Sequence, residues 1–163
     1  MIHCLLLGAT GVGKTRLGQA WAKQNDLGFV DLDQQLSQAY RYPHLAQALS
    51  QWGLPLFYQR SLEQIQSLDQ STQALIVAVG AGTQLAAQGA LDLLNWRHLC
   101  LSAEAHWLWQ QNQIYRQDPR SFDDFCAIEY HVWRQQIYQH SQMMLDVTGL
   151  SRQTVLAQAL DLF

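Results

Sequence analysis

Residues 8–15 combine residue types and a spacing that suit the binding of phosphate groups. Their sequence, Gly-Ala-Thr-Gly-Val-Gly-Lys-Thr, fits the phosphate-binding pattern G-x-x-x-x-G-K-[ST]. The glycines let the backbone bend so that successive N–H groups face phosphate oxygens. Lys14 is predicted to reach the β- and γ-phosphates of a nucleotide, and the Thr15 hydroxyl is predicted to bind Mg²⁺. The predicted nucleotide-binding residues are Gly8, Gly11, Val12, Gly13, Lys14, Thr15 and Arg16.

Asp31 and Asp33 form a second candidate group, within a short strand predicted over residues 29–33. The two carboxylates flank Leu32, so on a strand both would point to one face. Beside a triphosphate, one carboxylate could hold Mg²⁺ while the other accepts a proton from an attacking hydroxyl. The alternative interpretation is that Asp33 caps the helix that follows.

A glycine-rich turn, formed by Gly80, Ala81 and Gly82, follows the uninterrupted apolar run 74–79. Such a run is typical of a central strand in a parallel sheet. The turn could present N–H groups to a substrate or to the γ-phosphate. It could equally be an ordinary connection between a strand and a helix.

Arg116 and Arg120 lie in a polar, proline-containing stretch, residues 112–121, which we interpret as a lid. A mobile lid that carries an arginine can exclude water and neutralise charge in a transition state. The alternative is that both side chains are solvated loop arginines.

Arg134 lies on a long helix predicted over residues 122–140. Tyr130 and Tyr138 are four residues away on either side, so on one continuous helix all three would share a face. This arrangement suits the binding of a carboxylate or a hydroxyl on a small substrate. A surface arginine packed between two tyrosines is the alternative.

These candidate residues are positioned by alternating strands and helices. The strands are predicted at 2–7, 29–33, 74–79, 97–101 and 143–147. The helices are predicted at 14–25, at 34–69 with breaks near Pro43 and Pro55, between 80 and 97, at 103–113, at 122–140 and from Ser151 onward. This alternation predicts an α/β fold of three layers, in which helices cover both faces of a parallel sheet of about five strands. Ligands of such sheets bind beyond the carboxyl ends of the strands.

The composition narrows the class of protein. A length of 163 residues predicts a single domain spanning 1–163. Charged residues make up 14% of the chain and the net charge is -3, without a basic stripe. Nucleic acid and membranes are therefore not expected as partners. Three cysteines without paired spacing and the lack of a signal-peptide pattern predict a cytoplasmic protein with reduced thiols.

The phosphate loop, the pair Asp31 and Asp33, and the turn at 80–82 together resemble the shikimate kinase family. The resemblance continues through residues 134–138, Arg-Gln-Gln-Ile-Tyr, which are similar to the family's R-x-x-x-Y, and it covers essentially the whole chain. The resemblance implies a P-loop NTPase fold that uses ATP and Mg²⁺.

The same resemblance implies a role for individual residues. Lys14 and Thr15 would serve ATP and Mg²⁺, and Asp31 would lie on the metal side. Asp33 would act on the acceptor hydroxyl as a base or an orienting group. Arg134 would clamp the acceptor carboxylate, and residues 34–69 would form the acceptor-binding helical region.

The sequence departs from the family pattern at the acceptor end. The family's G-E-x-x-F-R aligns with residues 53–58, so its glutamate is Leu54 and its arginine is Tyr58 in this chain. The loss of one arginine from a two-arginine clamp removes a charge-assisted contact, which typically costs about 1.5–3 kcal/mol.

Further departures lie in the glycine-rich turn and the lid. The family's triple glycine contains Ala81 here, and its adenine-contacting arginine falls near Gln110 or Gln111. The lid's arginine-proline is replaced by residues 118–120, Asp-Pro-Arg, which leaves Arg116 or Arg120 as the lid arginine.

We therefore predict a kinase that transfers the γ-phosphoryl group of Mg-ATP to a hydroxyl of a small polar metabolite, with shikimate as the single most favoured acceptor. The predicted catalytic residues are Lys14, Asp33, Arg116 and Arg120. The predicted acceptor-binding residues are Asp33, Tyr58, Gly80, Ala81, Gly82 and Arg134. The alternative is an ATP-binding protein without efficient kinase activity that acts through a protein partner, which the changes at Leu54, Tyr58 and Ala81 favour.

Overall fold

A five-stranded parallel sheet forms the centre of the molecule. The computed structural model describes residues 3–80 and 96–162. The strands are β1 (Cys4–Gly8), β2 (Gly28–Asp31), β3 (Leu75–Ala78), β4 (Arg97–Ser102) and β5 (Met143–Asp146). Their order across the sheet is β2-β3-β1-β4-β5, and every neighbouring pair is parallel. The predicted parallel α/β sheet of about five strands is confirmed.

Seven helices within the described ranges cover this sheet. They are α1 (Lys14–Gln24), α2 (Leu32–Tyr40), α3 (Leu45–Leu68), α4 (Ala105–Arg116), α5 (Phe122–Glu129), α6 (Val132–Gln139) and α7 (Arg152–Asp161). The helix predicted between 80 and 97 lies outside the described residues. No helix in the two described ranges combines the length and the apolar character that a bilayer-spanning segment requires.

The two faces of the sheet bury separate apolar clusters. Side chains alternate along β1, which is buried throughout, so Leu6 points to one face and Leu5 and Leu7 to the other. The face of Leu6 is covered by apolar residues of α1, α4, α5 and α7. The opposite face is covered by residues of α2, α3 and α6. The result is the predicted three-layer arrangement.

Both predicted breaks in the 34–69 region are confirmed. Helix α2 ends at Tyr40 and α3 begins at Leu45. Within α3, Gly53 has φ 71° and ψ 165°, two residues before Pro55, so the helical path is interrupted there. Proline has no N–H to donate and its ring clashes with the preceding turn, which accounts for a break at this point.

The single helix predicted over 122–140 is wrong, because the chain forms two helices separated at residues 130–131. Tyr130 ends α5 and donates from its hydroxyl to the Ala103 carbonyl, at 2.7 Å. His131 has an extended ψ of 144° and its Nδ1 accepts from the Trp133 N–H, so it starts a new helix. Tyr130 and Arg134 therefore do not share one helical face.

Candidate active site

The phosphate loop lies at the carboxyl end of β1, the central strand, between β3 and β4. Gly8, Gly11 and Gly13 all have positive φ, with values of 133°, 81° and 108°. Gly13 precedes the first residue of α1, so the positive end of that helix lies beneath the loop. Within the loop the Val12 side chain is buried, whereas Arg16, just after the loop, is exposed and lines the cavity. The loop thus has the strand-loop-helix setting that phosphate binding requires.

Lys14 is folded onto its own loop. Its Nζ donates to the carbonyls of Gly8 and Ala9, at 2.8 and 2.9 Å, and the residue is 9% exposed. Burial lowers the pKa of Lys14 to about 8, although the carboxylates of Asp33 and Glu129 act in the opposite direction. The ammonium is thus held among carbonyl oxygens at the place where nucleotide phosphates would approach.

This lowered pKa makes nucleotide affinity depend on pH. Phosphates favour the charged ammonium, so binding should raise the pKa of Lys14 from about 8. Above that pH the protein should take up a proton when ATP binds, and its affinity should fall as pH rises further. We expect calorimetry at a pH of about 8.5 to give binding enthalpies that depend on the buffer's ionisation enthalpy.

A Lys14→Arg variant is the control for this pH dependence, because a guanidinium stays charged throughout the range. Buffer-independent enthalpies in the wild type, or the same pH dependence in the arginine variant, would show that Lys14 does not titrate on binding.

Thr15 and Asp31 form an oxygen pair beside the loop. The Thr15 hydroxyl donates to Asp31 Oδ2 at 2.9 Å. Hydroxyl and carboxylate oxygens are the ligands that Mg²⁺ prefers, and Mg²⁺ usually takes few protein ligands together with phosphate oxygens and waters. The described residues contain no cluster of three or more His, Cys, Asp or Glu side chains that could hold a metal by themselves. The pair fits a Mg²⁺ ion that arrives with a nucleotide.

The placement of Asp31 and Asp33 on one strand face is wrong. Strand β2 ends at Asp31, whose Oδ1 accepts from the Gln34 N–H at 3.2 Å and caps α2. Asp33 therefore lies in the first turn of a helix, and the capping residue is Asp31 instead of Asp33. Both carboxylates nevertheless line the same cavity as the phosphate loop.

Asp33 packs against the end of β3. A Cβ added to Gly80 would lie 1.8–2.1 Å from the carboxylate atoms of Asp33, so only glycine leaves room for this contact. Gly80 also lines the cavity. Ala81 and Gly82, the rest of the predicted turn, lie outside the described residues.

Asn112 of α4 is a contact of the phosphate loop that the sequence did not indicate. Its Nδ2 donates to the Thr10 carbonyl at 3.0 Å and to the Leu108 carbonyl at 2.9 Å, and the residue is 1% exposed. A Cβ on Gly11 would approach the Asn112 side chain to 2.4–2.7 Å. Glycine at position 11 is thus required by this helix as well as by the backbone conformation.

Glu129 is the second residue that the sequence analysis missed. Its carboxylate is 2% exposed and accepts from the Thr10 N–H at 3.0 Å, from Arg120 at 3.0 Å and from Arg134 at 2.5 Å. Burial alone would raise the pKa of Glu129, but the Thr10 N–H and the two guanidinium groups outweigh it and hold the pKa below its usual value. One buried carboxylate therefore joins the phosphate loop to both arginines.

The stretch 112–121, which we predicted to be a lid, is partly helical in the structure, and its role as a lid stays a prediction. Residues 112–116 are the end of α4, because Asn112 faces inward and bonds one turn back, so the polar sequence still packs as a helix. The helix ends at Arg116, and the next residue, Gln117, has φ 52°. Only residues 117–121 connect α4 to α5.

The two candidate lid arginines are placed differently. Arg116, exposed in the last turn of α4, lines the cavity. Arg120 instead bonds to Asp118 and Glu129 and packs its guanidinium 5.0 Å from the centre of the Phe125 ring. Of the two, Arg116 is the one that lines the cavity.

The predicted acceptor residues Arg134 and Tyr58 are not among the described residues that line the phosphate-loop cavity. Arg134, on α6, is 7% exposed and paired with Glu129. Tyr58, on α3, is half-buried and packs against the apolar cluster that contains Leu5 and Leu7.

A cavity of about 1350 Å³ extends from Asp33 along the phosphate loop to α7. This volume exceeds the 300–1,000 Å³ or so of a pocket for one drug-sized ligand, so a nucleotide and a second substrate could both be accommodated. Five of the chain's ten lysines and arginines line it: Lys14, Arg16, Lys23, Arg116 and Arg152. This concentration of cations suits a polyphosphate ligand.

The far end of the cavity is apolar. Trp107 of α4 lies there and also packs against the apolar cluster that contains Leu6. It is accompanied by Val147, Leu150, Val155 and Leu156. An aromatic face among aliphatic side chains suits a flat heterocycle such as a nucleotide base.

The parallel sheet with a glycine-rich phosphate loop at its central strand defines a P-loop NTPase fold. A family model described as Shikimate kinase matches residues 10–162. The chain therefore belongs to the shikimate kinase family, which confirms the resemblance.

Individual relatives agree with this assignment. A shikimate kinase from Bacillus pumilus (strain SAFR-032) is 36% identical over 80 residues, which is 49% of this chain and 43% of that protein. The chain thus aligns with less than half the length of this curated relative. Shikimate kinase from Bacteroides thetaiotaomicron has a TM-score of 0.84 at 16% identity, covering 99% of this chain and 97% of its own. Shikimate kinase from Acinetobacter baumannii, in complex with shikimate, has a TM-score of 0.75 at 15% identity, covering 99% and 90%. At these low identities the structural likeness shows the fold.

Proposed function

We propose that this protein is a small-molecule kinase that transfers the γ-phosphoryl group of Mg-ATP to a hydroxyl of a small polar metabolite. The observation that carries this proposal is the meeting of three groups in one cavity. These are the ammonium of Lys14, the oxygen pair of Thr15 and Asp31, and the carboxylate of Asp33. They come from the ends of β1, β2 and the adjoining helices, and each suits one part of phosphoryl transfer.

The nucleotide binds along the phosphate loop in this proposal. Backbone N–H groups of residues 11–15 and the end of α1 hold the phosphates, and Lys14 neutralises the β- and γ-phosphate oxygens. Arg116, which also lines the cavity, adds positive charge. The base occupies the apolar end beside Trp107.

Mg²⁺ would be held by Thr15 and, directly or through water, by Asp31. When bound, the ion neutralises phosphate charge and fixes the orientation of the phosphates. The Thr15–Asp31 hydrogen bond already holds the two oxygens 2.9 Å apart on the cavity wall.

Asp33 acts on the acceptor. The acceptor hydroxyl oxygen forms a bond to the γ-phosphorus while the bond from that phosphorus to the bridging oxygen of ADP breaks, and the hydroxyl proton passes to the Asp33 carboxylate. Gly80 allows this carboxylate to sit close to the end of β3, which fixes its position. Proximity and electrostatic stabilisation supply most of the catalysis in such reactions.

Shikimate is the first acceptor to test, because the chain belongs to the shikimate kinase family. A relative of the same fold is described in complex with shikimate. The alternative function, ATP binding without efficient transfer, is favoured by the pairing of Arg134 with Glu129 and by the neutral Tyr58. Under that alternative the protein acts through a protein partner.

A transfer assay separates these two functions. The protein is incubated with Mg-ATP and a panel of hydroxy-acids, their neutral esters and polyols, and the phosphorylated product is followed by ³¹P NMR. We expect product formation with at least one compound, and a much slower reaction with an Asp33→Asn variant that still binds ATP. Tight ATP binding without transfer to any compound would instead support the non-enzymatic alternative.

A further inference from the structure

Glu129 already holds the guanidinium of Arg134. Arg134 Nη1 donates to Glu129 Oε2 at 2.5 Å, and the two residues are 7% and 2% exposed. A charge-assisted hydrogen bond of this length between buried partners is among the strong pair interactions of proteins. The arginine is therefore already engaged by a buried carboxylate through Nη1, although its buried Nε has no hydrogen-bond partner among the described residues.

The charges around this pair balance. Glu129 also accepts from Arg120, whose guanidinium bonds in turn to Asp118. Two carboxylates face two guanidinium groups, so these four residues together carry no net charge. Lys14, which interacts with Glu129 and Arg134, adds one positive charge nearby, and Asp33, which interacts with Lys14, adds one negative charge. A ligand carboxylate placed beside Arg134 would add a third negative charge to a buried, neutral cluster, which is unfavourable in a poorly solvated place.

Displacing Glu129 does not remove this difficulty. The carboxylate also accepts from the Thr10 N–H of the phosphate loop, so its departure would leave a backbone donor and a buried charge without partners. The neutral phenol of Tyr58 supplies no charge in compensation. Arg60, two residues after Tyr58, does carry a positive charge, but its guanidinium packs on two aromatic rings, 4.7 Å from the centre of Tyr40 and 4.3 Å from the centre of Trp52.

We propose that Glu129 selects against acceptors that present a carboxylate to Arg134, so that the acceptor is a hydroxylated compound that is uncharged at that end. The inference rests on the proposed kinase function and narrows its substrate class. Glu129 is a positioning residue in this scheme, because it acts through Arg134 and the phosphate loop and does not touch the acceptor.

The test compares shikimate with its methyl ester, which keeps the ring hydroxyls and lacks the negative charge. The wild type is compared with Glu129→Gln, whose amide oxygen can still accept from the Thr10 N–H while the charge is removed. Asp161→Asn, which removes an exposed carboxylate at the end of α7, is the control for net charge. The readouts are kcat and KM for each acceptor and the KM for ATP.

We expect the wild type and Asp161→Asn to prefer the ester over shikimate by at least about tenfold in kcat/KM. Glu129→Gln should shift that ratio toward shikimate by about tenfold or more, which corresponds to one charged contact. The shift should appear in the KM for shikimate, with the KM for ATP little changed. A wild-type preference for shikimate, or an unchanged ratio in Glu129→Gln, would overturn the inference while leaving the kinase function intact.

A double variant, Glu129→Gln with Arg134→Gln, covers the case in which Glu129→Gln does not fold. It removes both members of the pair and keeps the cluster neutral, so it should retain the wild-type preference for the ester. A preference for shikimate over the ester in a folded double variant that still binds ATP would overturn the inference.

If neither the wild type nor any variant phosphorylates either compound, the inference is tested by binding instead. Calorimetry then measures the affinity of the wild type and of Glu129→Gln for shikimate with Mg-ADP present. Binding of shikimate gained by Glu129→Gln, and absent from the wild type, would sustain the selection by Glu129 while the proposed kinase function fails. If Glu129→Gln gains no binding of shikimate, the inference fails as well.

Discussion

Replacing Lys14 with alanine should abolish the rise in melting temperature that Mg-ATP gives the wild-type protein. A ligand at about one hundred times its Kd stabilises the native state by about 2.7 kcal/mol, and the loss of a charged partner typically costs about 1.5–3 kcal/mol of binding. The buried ammonium lies among the carbonyls of the phosphate loop, so the loss should fall at the upper end of that range. Thermal unfolding with and without Mg-ATP measures the effect.

Lys23→Ala is the matched control for this experiment. It removes the chain's other lysine, which is exposed in the last turn of the same helix and lines the cavity at a distance from the loop. Most of the ATP-dependent stabilisation should remain in this variant. An equal rise in melting temperature for Lys14→Ala and the wild type would show that the phosphate loop does not bind the nucleotide.

Replacing Asp33 with asparagine should lower kcat by about 10²–10⁴-fold, the usual range for the loss of a general base. The affinity for ATP should change little, because Asp33 lies on the β3 side of the cavity beside Gly80. Steady-state kinetics with the best acceptor of the panel, together with ATP titration, measures both quantities.

Asp31→Asn serves as the comparison for Asp33. It weakens the oxygen pair with Thr15, so it should raise the Mg²⁺ concentration needed for half-maximal rate while the rate at saturating Mg²⁺ falls less. If Asp33→Asn instead behaves like Asp31→Asn, Asp33 belongs to the metal site and the proton acceptor must be another group.

Local patterns in the sequence predicted most of the architecture. The phosphate loop is specified by eight consecutive residues, and the apolar run 74–79 is long enough to indicate a buried strand. The breaks around Gly53 and Pro55 follow from the conformational limits of glycine and proline. Each of these features depends on residues that are close together in the chain.

The errors arose where capping competed with periodicity. The pattern of apolar residues ran through Tyr130 and His131, whereas His131 starts a new helix by accepting from the backbone. Asp31 similarly ends a strand and caps α2, which moved Asp33 from a strand to a helix. Some residue types can either cap a helix or lie within a helix or strand. The sequence alone gives little indication of which of these two roles such a residue takes, so the ends of elements are hard to predict.

The candidate site was less predictable because its polar contacts span large distances along the chain. Glu129 meets the phosphate loop at Thr10, 119 residues away, and Asn112 reaches the same residue across 102 positions. No spacing rule connects such residues. The only local indication for Glu129 was its position five residues before Arg134. Side chains on a helix meet when they are three or four residues apart, so this spacing did not predict the pair.

The contact between Asn112 and Gly11 has a mechanical consequence. Helix α4 is held against the phosphate loop by the Asn112–Thr10 hydrogen bond. The Asn112 side chain also lies so close to Gly11 that a Cβ on Gly11 would clash with it. The helix and the loop should therefore move as one rigid body, and any closure over the nucleotide must bend the chain beyond Arg116. Arg116, at the end of α4, is then a fixed part of the cavity wall. Residues 117–121 could move over the nucleotide only by breaking the hydrogen bonds that Trp109 and Gln113 of α4 donate to the Arg120 carbonyl.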